Sequence, residues 1–193
     1  MDSIITIPNL LTFLRMALIP VFATLLYYKN FDFALLVFFL AGASDGLDGY
    51  IARRFNQEST LGRILDPIAD KLLMTVSYIG LALPFVVTGV RHLPIPFWVV
   101  ASVIGRDILI VAVAAAIAVM TKFRGFKPSF WGKVSTVIQI NAIGLILIII
   151  NFPSFSVVLP TIYVIVALFS VISGVHYIYW VAKLMKESGN QTT

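Results

Sequence analysis

The chain has 193 residues, 60% of them hydrophobic and 12% charged, with a formal net charge of +5. Soluble domains run closer to half apolar and a quarter charged, so this composition excludes an ordinary water-soluble enzyme. The Lys and Arg residues sit in short clusters between long apolar runs, which argues against a nucleic-acid-binding face, and the absence of cysteine rules out disulfides and thiolate metal sites.

An apolar helix of about twenty residues crosses a bilayer. Six stretches fit, near 9–28, 33–53, 64–88, 94–121, 131–151 and 156–182, and they predict an all-α, polytopic membrane protein of six transmembrane helices. The breaks between them carry turn residues: Lys29-Asn30, Arg53 to Ser59, Gly89 to Pro96, Lys122 to Ser129 and Asn151 to Ser154. Nothing suggests a second domain, so residues 1–193 are read as one membrane domain with a polar, frayed tail over about 183–193. Met1 to Ile7 lacks a basic region and a small-residue cleavage site, so the first span is read as retained. Arg53, Arg54, Arg63, Lys122, Arg124, Lys127, Lys133, Lys183 and Lys186 fall on one side of this topology, against Lys29 and Arg91 on the other. The basic side is therefore expected to be cytoplasmic, with both termini on it.

The first span opens Pro8-Asn9-Leu10-Leu11-Thr12-Phe13-Leu14-Arg15, and Arg15 within apolar sequence requires an anionic partner. The second and third spans hold the sequence's most costly feature. Of nine acidic residues, Asp45, Asp48, Asp66, Asp70 and Asp107 lie in or at the ends of spans, where an ionised carboxylate needs a cation or a metal. Asp45 and Asp48 are three apart, and Asp66 and Asp70 four apart, so on helices each pair projects from one face. A short connection makes the two helices antiparallel neighbours, which gathers the carboxylates around one cavity near the cytoplasmic end. So many negative charges require a counter-charge. All-oxygen ligands favour Mg²⁺ or Mn²⁺, and such ions characteristically share phosphate oxygens with the protein, so a phosphate-bearing substrate is indicated. Gly42, Ala43, Ser44, Gly46, Gly49, Ala52 and Gly62 keep bulk away from the acids, and Arg53 and Arg54 supply forked phosphate donors. The competing account is structural, with the acids paired to Arg53, Arg54, Arg63 and Lys71; paired spacing on two adjacent helices argues against it.

In the fourth span Arg106 is either a phosphate-binding cation or the partner of Asp107 or another aspartate. In the fifth, Lys133 is placed to bind an anion, while Lys122, Arg124 and Lys127 before it read as membrane-surface anchors. His92 and His176 read as packing or interfacial residues, and Asn190-Gln191-Thr192 as a glycosylation pattern on a cytoplasmic tail that is never modified.

Residues 45 to 70 read Asp45-x2-Asp48-Gly49-x2-Ala52-Arg53-x8-Gly62-x3-Asp66-x3-Asp70. This resembles the complete signature of the CDP-alcohol phosphotransferases, with every fixed position and both spacings present. The resemblance implies a six-helix membrane enzyme that uses two metal ions, with a homodimer common in the family. By it, Asp45, Asp48 and Asp66 hold the ions, Asp70 shares a ligand and is the general base, and Gly49, Ala52, Arg53 and Gly62 shape the CDP pocket. The Asn9-x2-Thr12-x2-Arg15 pattern, Arg106-Asp107, and Pro128-Ser129-x2-Gly132-Lys133-x2-Thr136-x2-Gln139 resemble phosphatidylglycerophosphate synthases and CMP-forming cardiolipin synthases alike. They imply CDP-diacylglycerol as donor and an anionic glycerol-type acceptor, glycerol 3-phosphate or phosphatidylglycerol, held by Arg15, Arg106 and Lys133. The expected location is a bacterial cytoplasmic (inner) membrane, among membrane lipids and without nucleic acid, the site facing the cytoplasm. The competing functions are transfer to another alcohol such as inositol phosphate, a divalent-cation transporter, and a purely structural membrane protein. A transporter predicts polar residues across the whole bilayer and often a repeated motif, neither of which is present.

Overall fold

The computed structural model describes residues 7–55, 60–87, 95–121 and 130–189, without the side chains of 7–8, 45, 47–55, 60–61, 63–64, 85, 87, 118–121 and 184–189. These residues form α1 (Ile7–Tyr27), α2 (Phe31–Phe55), α3 (Thr60–Ala82), the single turn α4 (Pro84–Val87), α5 (Phe97–Thr121), α6 (Phe130–Asn151), a 3₁₀ helix (Pro153–Val158) and α7 (Leu159–Gly189). No strand occurs among them. Asn9–Tyr27, Phe97–Ile117, Phe130–Asn151 and Pro153–Lys183 are long and apolar enough to cross a membrane. The apolar part of α2 is shorter, Phe31–Ser44, because the acidic and glycine-rich half of the helix follows it. The chain is an integral membrane protein.

Burial supports lipid as the solvent. On α1 the polar Asn9, Thr12 and Arg15 are 2%, 0% and 0% exposed, whereas Leu10 and Leu14 between them stand 64% and 50% exposed. A water-soluble helix does the reverse; in lipid the apolar side chains face outward and the groups needing hydrogen bonds turn into the protein.

The chain divides into two compact units. The first comprises Met1–Ile95 and Ile143–Val157, and in it α1 packs against both α2 and α3. The α1–α2 connection is a tight reversal. Asn30 N–H donates to the Leu25 carbonyl and Lys29 N–H to that of Leu26, the paired bonds of a Schellman cap, with Lys29 in the left-handed region at φ 59°. Asn30 then starts α2 by accepting from Ala34 N–H. Phe22 and Phe38 meet across α1 and α2 with ring centroids 6.0 Å apart, and Gly144 on the second half of α6 faces Phe38 and Phe39. Farther along α1, a Cβ on Gly80 of α3 would stand 2.8 Å from Leu26 Cδ1, so the missing side chain lets the two helices approach closely.

The second unit, Pro96–Ala142 and Val158–Thr193, is built on α5 packed against α7. Ile117, Tyr177 and Val181 form its apolar cluster, with Leu109, Ile110, Val113 and Trp180 around them. A buried polar seam runs beside it. Gln139 on α6 donates through Nε2 to Ser135 at 3.2 Å and to Ser170 on α7 at 3.0 Å, and Ser170 donates onward to the Val166 carbonyl.

Six long helices fall where the six spans were expected, four of them long and apolar enough to cross a membrane, and three differences stand out. The third helix ends at Ala82 rather than near 88, with Pro84 opening the separate turn α4. The predicted frayed tail is helical as far as Gly189. Leaving a bilayer does not end a helix, and Lys, Leu, Met and Glu after Ala182 are all good helix formers. The break after Asn151 is not open loop but a 3₁₀ segment, since Pro153 cannot continue α6 yet suits the first turn of a new helix.

Candidate active site

The site builds outward from two facing rows in the first unit. On α1, Asn9, Thr12 and Arg15 recur every third residue and share a buried face. On α3, Asp66 and Asp70 lie one turn apart, with the fully buried Ala69 between them in sequence. The rows interlock. Thr12 Oγ1 donates a hydrogen bond to Asp66 Oδ1, and Arg15 Nη1 donates to Asp70 Oδ1 at 2.6 Å. Arg15 is fully enclosed while the Asp70 side chain is 47% exposed, so the pair has a buried cation and an accessible carboxylate. Coulomb attraction at that distance, inside protein, is far stronger than in water. The Asp66-Pro67 step removes one backbone donor from α3 beside these carboxylates, because proline has no N–H.

Asp45 and Asp48 lie on α2 within one turn of each other, followed by Gly49, Ala52 and Arg53 on the same helix, but their side chains are outside the described residues. Gly62 is buried in the first turn of α3, one turn before Asp66. Lys122, Arg124, Lys127 and His92 also lie outside the described residues.

The remaining expected cations belong to the second unit. Arg106 on α5 is buried, and each of its guanidinium nitrogens is engaged: Nη1 to Asp107 at 2.7 Å, Nε to Ser173 at 3.1 Å, and Nη2 to Ser173 and to the Gly132 carbonyl, both at 3.0 Å. Lys133, next to Gly132 on α6, is exposed. A buried arginine with partners at every guanidinium nitrogen is stable where an unpaired one would be costly.

Sequence reasoning assigned no task to Thr12, although it lies in the quoted Asn9-x2-Thr12-x2-Arg15 pattern. The signal was present: a polar residue at the spacing that puts it beside Arg15 on one helical face, within an otherwise apolar span. Ser173, which fixes two nitrogens of Arg106, carried no such signal, since a lone serine in α7 looks like many other membrane-helix serines.

Residues 5–175 match the CDP-alcohol phosphatidyltransferase family, and the chain belongs to it. Among named relatives, the CMP-forming cardiolipin synthase of Rattus norvegicus is 38% identical over 151 residues, covering 70% of this chain and 47% of that protein. The CDP-diacylglycerol–glycerol-3-phosphate 3-phosphatidyltransferase of Pseudomonas fluorescens is 37% identical over 155 residues, 78% of this chain and 75% of that one. The CMP-forming cardiolipin synthase of Streptomyces coelicolor is 34% identical over 156 residues, 76% and 67%. The chain spans about half the length of the rat and human cardiolipin synthases, 47% and 48%. No solved structure matches it.

Proposed function

We propose that the chain is a CMP-forming phosphatidyltransferase that moves the phosphatidyl group of CDP-diacylglycerol to the hydroxyl of an anionic glycerol-type acceptor. The acceptor is glycerol 3-phosphate, giving phosphatidylglycerophosphate, or phosphatidylglycerol, giving cardiolipin. The observation that carries the reading is the carboxylate row of Asp66 and Asp70, each held through one oxygen by α1, in a chain whose family relatives carry those two activities in their names.

The residues fit a hard divalent cation. The donors are carboxylate oxygens one helical turn apart, Thr12 donates to Oδ1 of Asp66 and Arg15 to Oδ1 of Asp70, and the Asp70 side chain is partly open. In the proposed site Asp45, Asp48, Asp66 and a shared Asp70 hold two Mg²⁺ or Mn²⁺ ions. When bound, such ions stabilise charge on the attacking and leaving oxygens of an in-line displacement. Gly49, Ala52, Arg53 and Gly62 shape the CDP pocket, with the Arg53 fork directed to phosphate. Asp70 takes the proton of the acceptor hydroxyl; that oxygen forms a bond to the β-phosphorus while the bond from phosphorus to the CMP oxygen breaks. Arg15, Arg106 and Lys133 are the candidate cations for the acceptor's anionic group. The proposal includes one membrane domain over residues 1–193, six spans with both termini cytoplasmic, a homodimer, and a bacterial inner membrane with the site open to the cytoplasm, where soluble substrate and CMP can exchange.

The test is to incubate purified protein with CDP-diacylglycerol, Mg²⁺ or Mn²⁺ and one acceptor at a time, and to identify the lipid formed. Glycerol 3-phosphate or phosphatidylglycerol is expected to outcompete inositol, serine and choline by at least about tenfold, the worth of one charge-assisted hydrogen bond. Excess EDTA is expected to abolish transfer. Full turnover in EDTA, or efficient transfer to a neutral alcohol, would overturn the reading. Lys133→Ala offers a separate check, since an exposed side chain can be truncated with little effect on the fold. It is expected to raise the acceptor KM several-fold, by about 1 kcal/mol of lost binding, and to leave the donor KM alone. Equal shifts in both would count against its place at the acceptor.

A further inference from the structure

A serine or threonine inside a helix has a default partner for its hydroxyl proton, a carbonyl three or four residues earlier on the same helix. This chain uses that default repeatedly. Thr24 donates to Pro20, Ser44 to Ala41, Ser77 to Leu73, Ser102 to Val99, Thr136 to Gly132 and Ser170 to Val166, at 2.7 to 3.1 Å. Thr12 reaches beyond its own helix: its hydroxyl donates across to α3, to Oδ1 of Asp66, 54 residues away in sequence. The side chain is wholly buried, so water does not compete for that proton.

A carboxylate on a helix can turn about its terminal torsion, and that torsion is broad. A donor fixed by a neighbouring helix removes this freedom. It selects Oδ1 as the oxygen that faces α1 and so limits the directions open to the other. A threonine is well suited to the task, because its β-branched side chain has few rotamers in a helix and holds the hydroxyl still.

We propose that Thr12 is a positioning residue for Asp66: it fixes one carboxylate oxygen so that the other is presented, pre-oriented, to a divalent cation. The inference rests on the reading of Asp66 as a metal ligand given above. It adds that α1, which carries none of the family's signature acids, sets the metal affinity of α3 through this one hydroxyl. The general expectation for a hydrogen bond that orients a ligating side chain is a 10- to 100-fold effect on metal affinity, and the same range is expected here.

The experiment measures Mn²⁺ binding to detergent-purified full-length protein without donor or acceptor, from the electron paramagnetic resonance signal of free Mn²⁺. Thr12→Val keeps the shape and removes the donor; Thr12→Ser restores the donor; Thr12→Ala serves the same purpose as valine should valine not yield a monodisperse protein. Asp66→Asn tests the underlying assignment, and Thr24→Val controls for loss of a hydroxyl that serves only its own helix. Expected are a Mn²⁺ dissociation constant raised about 10- to 100-fold in Thr12→Val or Thr12→Ala, within about threefold of wild type in Thr12→Ser, and unchanged in Thr24→Val. Wild-type Mn²⁺ affinity in Thr12→Val, with Asp66→Asn defective, would overturn the positioning role and leave the metal assignment standing. Wild-type affinity in Asp66→Asn would overturn both. Affinity lost equally in Thr12→Val and Thr12→Ser would mark Thr12 as a packing residue and reject the proposal.

Discussion

Asp70→Asn is expected to lower phosphatidyl transfer by about 10²- to 10⁴-fold while the protein stays folded and still binds CDP-diacylglycerol. The rate loss follows from the role: an amide cannot accept the hydroxyl proton, and general-base catalysis contributes about that factor. The retained fold follows from geometry. Arg15 donates to one oxygen of Asp70 at 2.6 Å, and an asparagine oxygen can accept the same hydrogen bond, so the buried guanidinium keeps a partner there. Asp45→Asn, Asp48→Asn and Asp66→Asn are expected to differ from it in kind, weakening metal-dependent donor binding as well as turnover. Steady-state kinetics beside a donor-binding measurement separates the two patterns. Near wild-type turnover in Asp70→Asn would show that the base lies elsewhere.

Arg15→Met is expected to damage stability and activity together. Methionine fills much of the enclosed volume but leaves Asp70 without its cation. Breaking a buried pair by removing one partner costs about 3–5 kcal/mol, and the lower end applies because the Asp70 side chain is 47% exposed and water can take over part of the solvation. A clear drop in the thermal midpoint in detergent is the first readout. The second is transfer, expected to fall by about 100-fold in kcat/KM for the acceptor, the size of a lost hydrogen bond between charged groups. Arg15→Lys should recover part of each, since an ammonium restores the charge but not the planar fork. A variant with methionine at 15 that keeps both the midpoint and the turnover would remove Arg15 from the site.

The sequence alone determined where the long helices of this protein lie, to within a few residues at most of their ends. Apolar runs near twenty residues permit only a helix in a bilayer, so the positions of the long helices were legible from hydropathy, and the spacing of Asp66 and Asp70 placed both on one face of α3. The helical state of 183–189 was not, because a polar segment is held in a helix by residue propensity rather than by the demands of lipid. What only the tertiary structure decided is who meets whom. Arg15 had to find an anion, but its sequence neighbours offered no means of choosing among the acids of three helices; α1 packing on α3 selects Asp70, and the same register brings Thr12 to Asp66. Arg106 was equally ambiguous, and its answer comes from residues on three helices, Asp107 beside it, the Gly132 carbonyl and Ser173. Periodicity fixes the face a residue occupies on its own helix; the partner on another helix depends on how deep the helices sit against each other, and that is set by side chains far from the site, such as the close passage of Leu26 over Gly80.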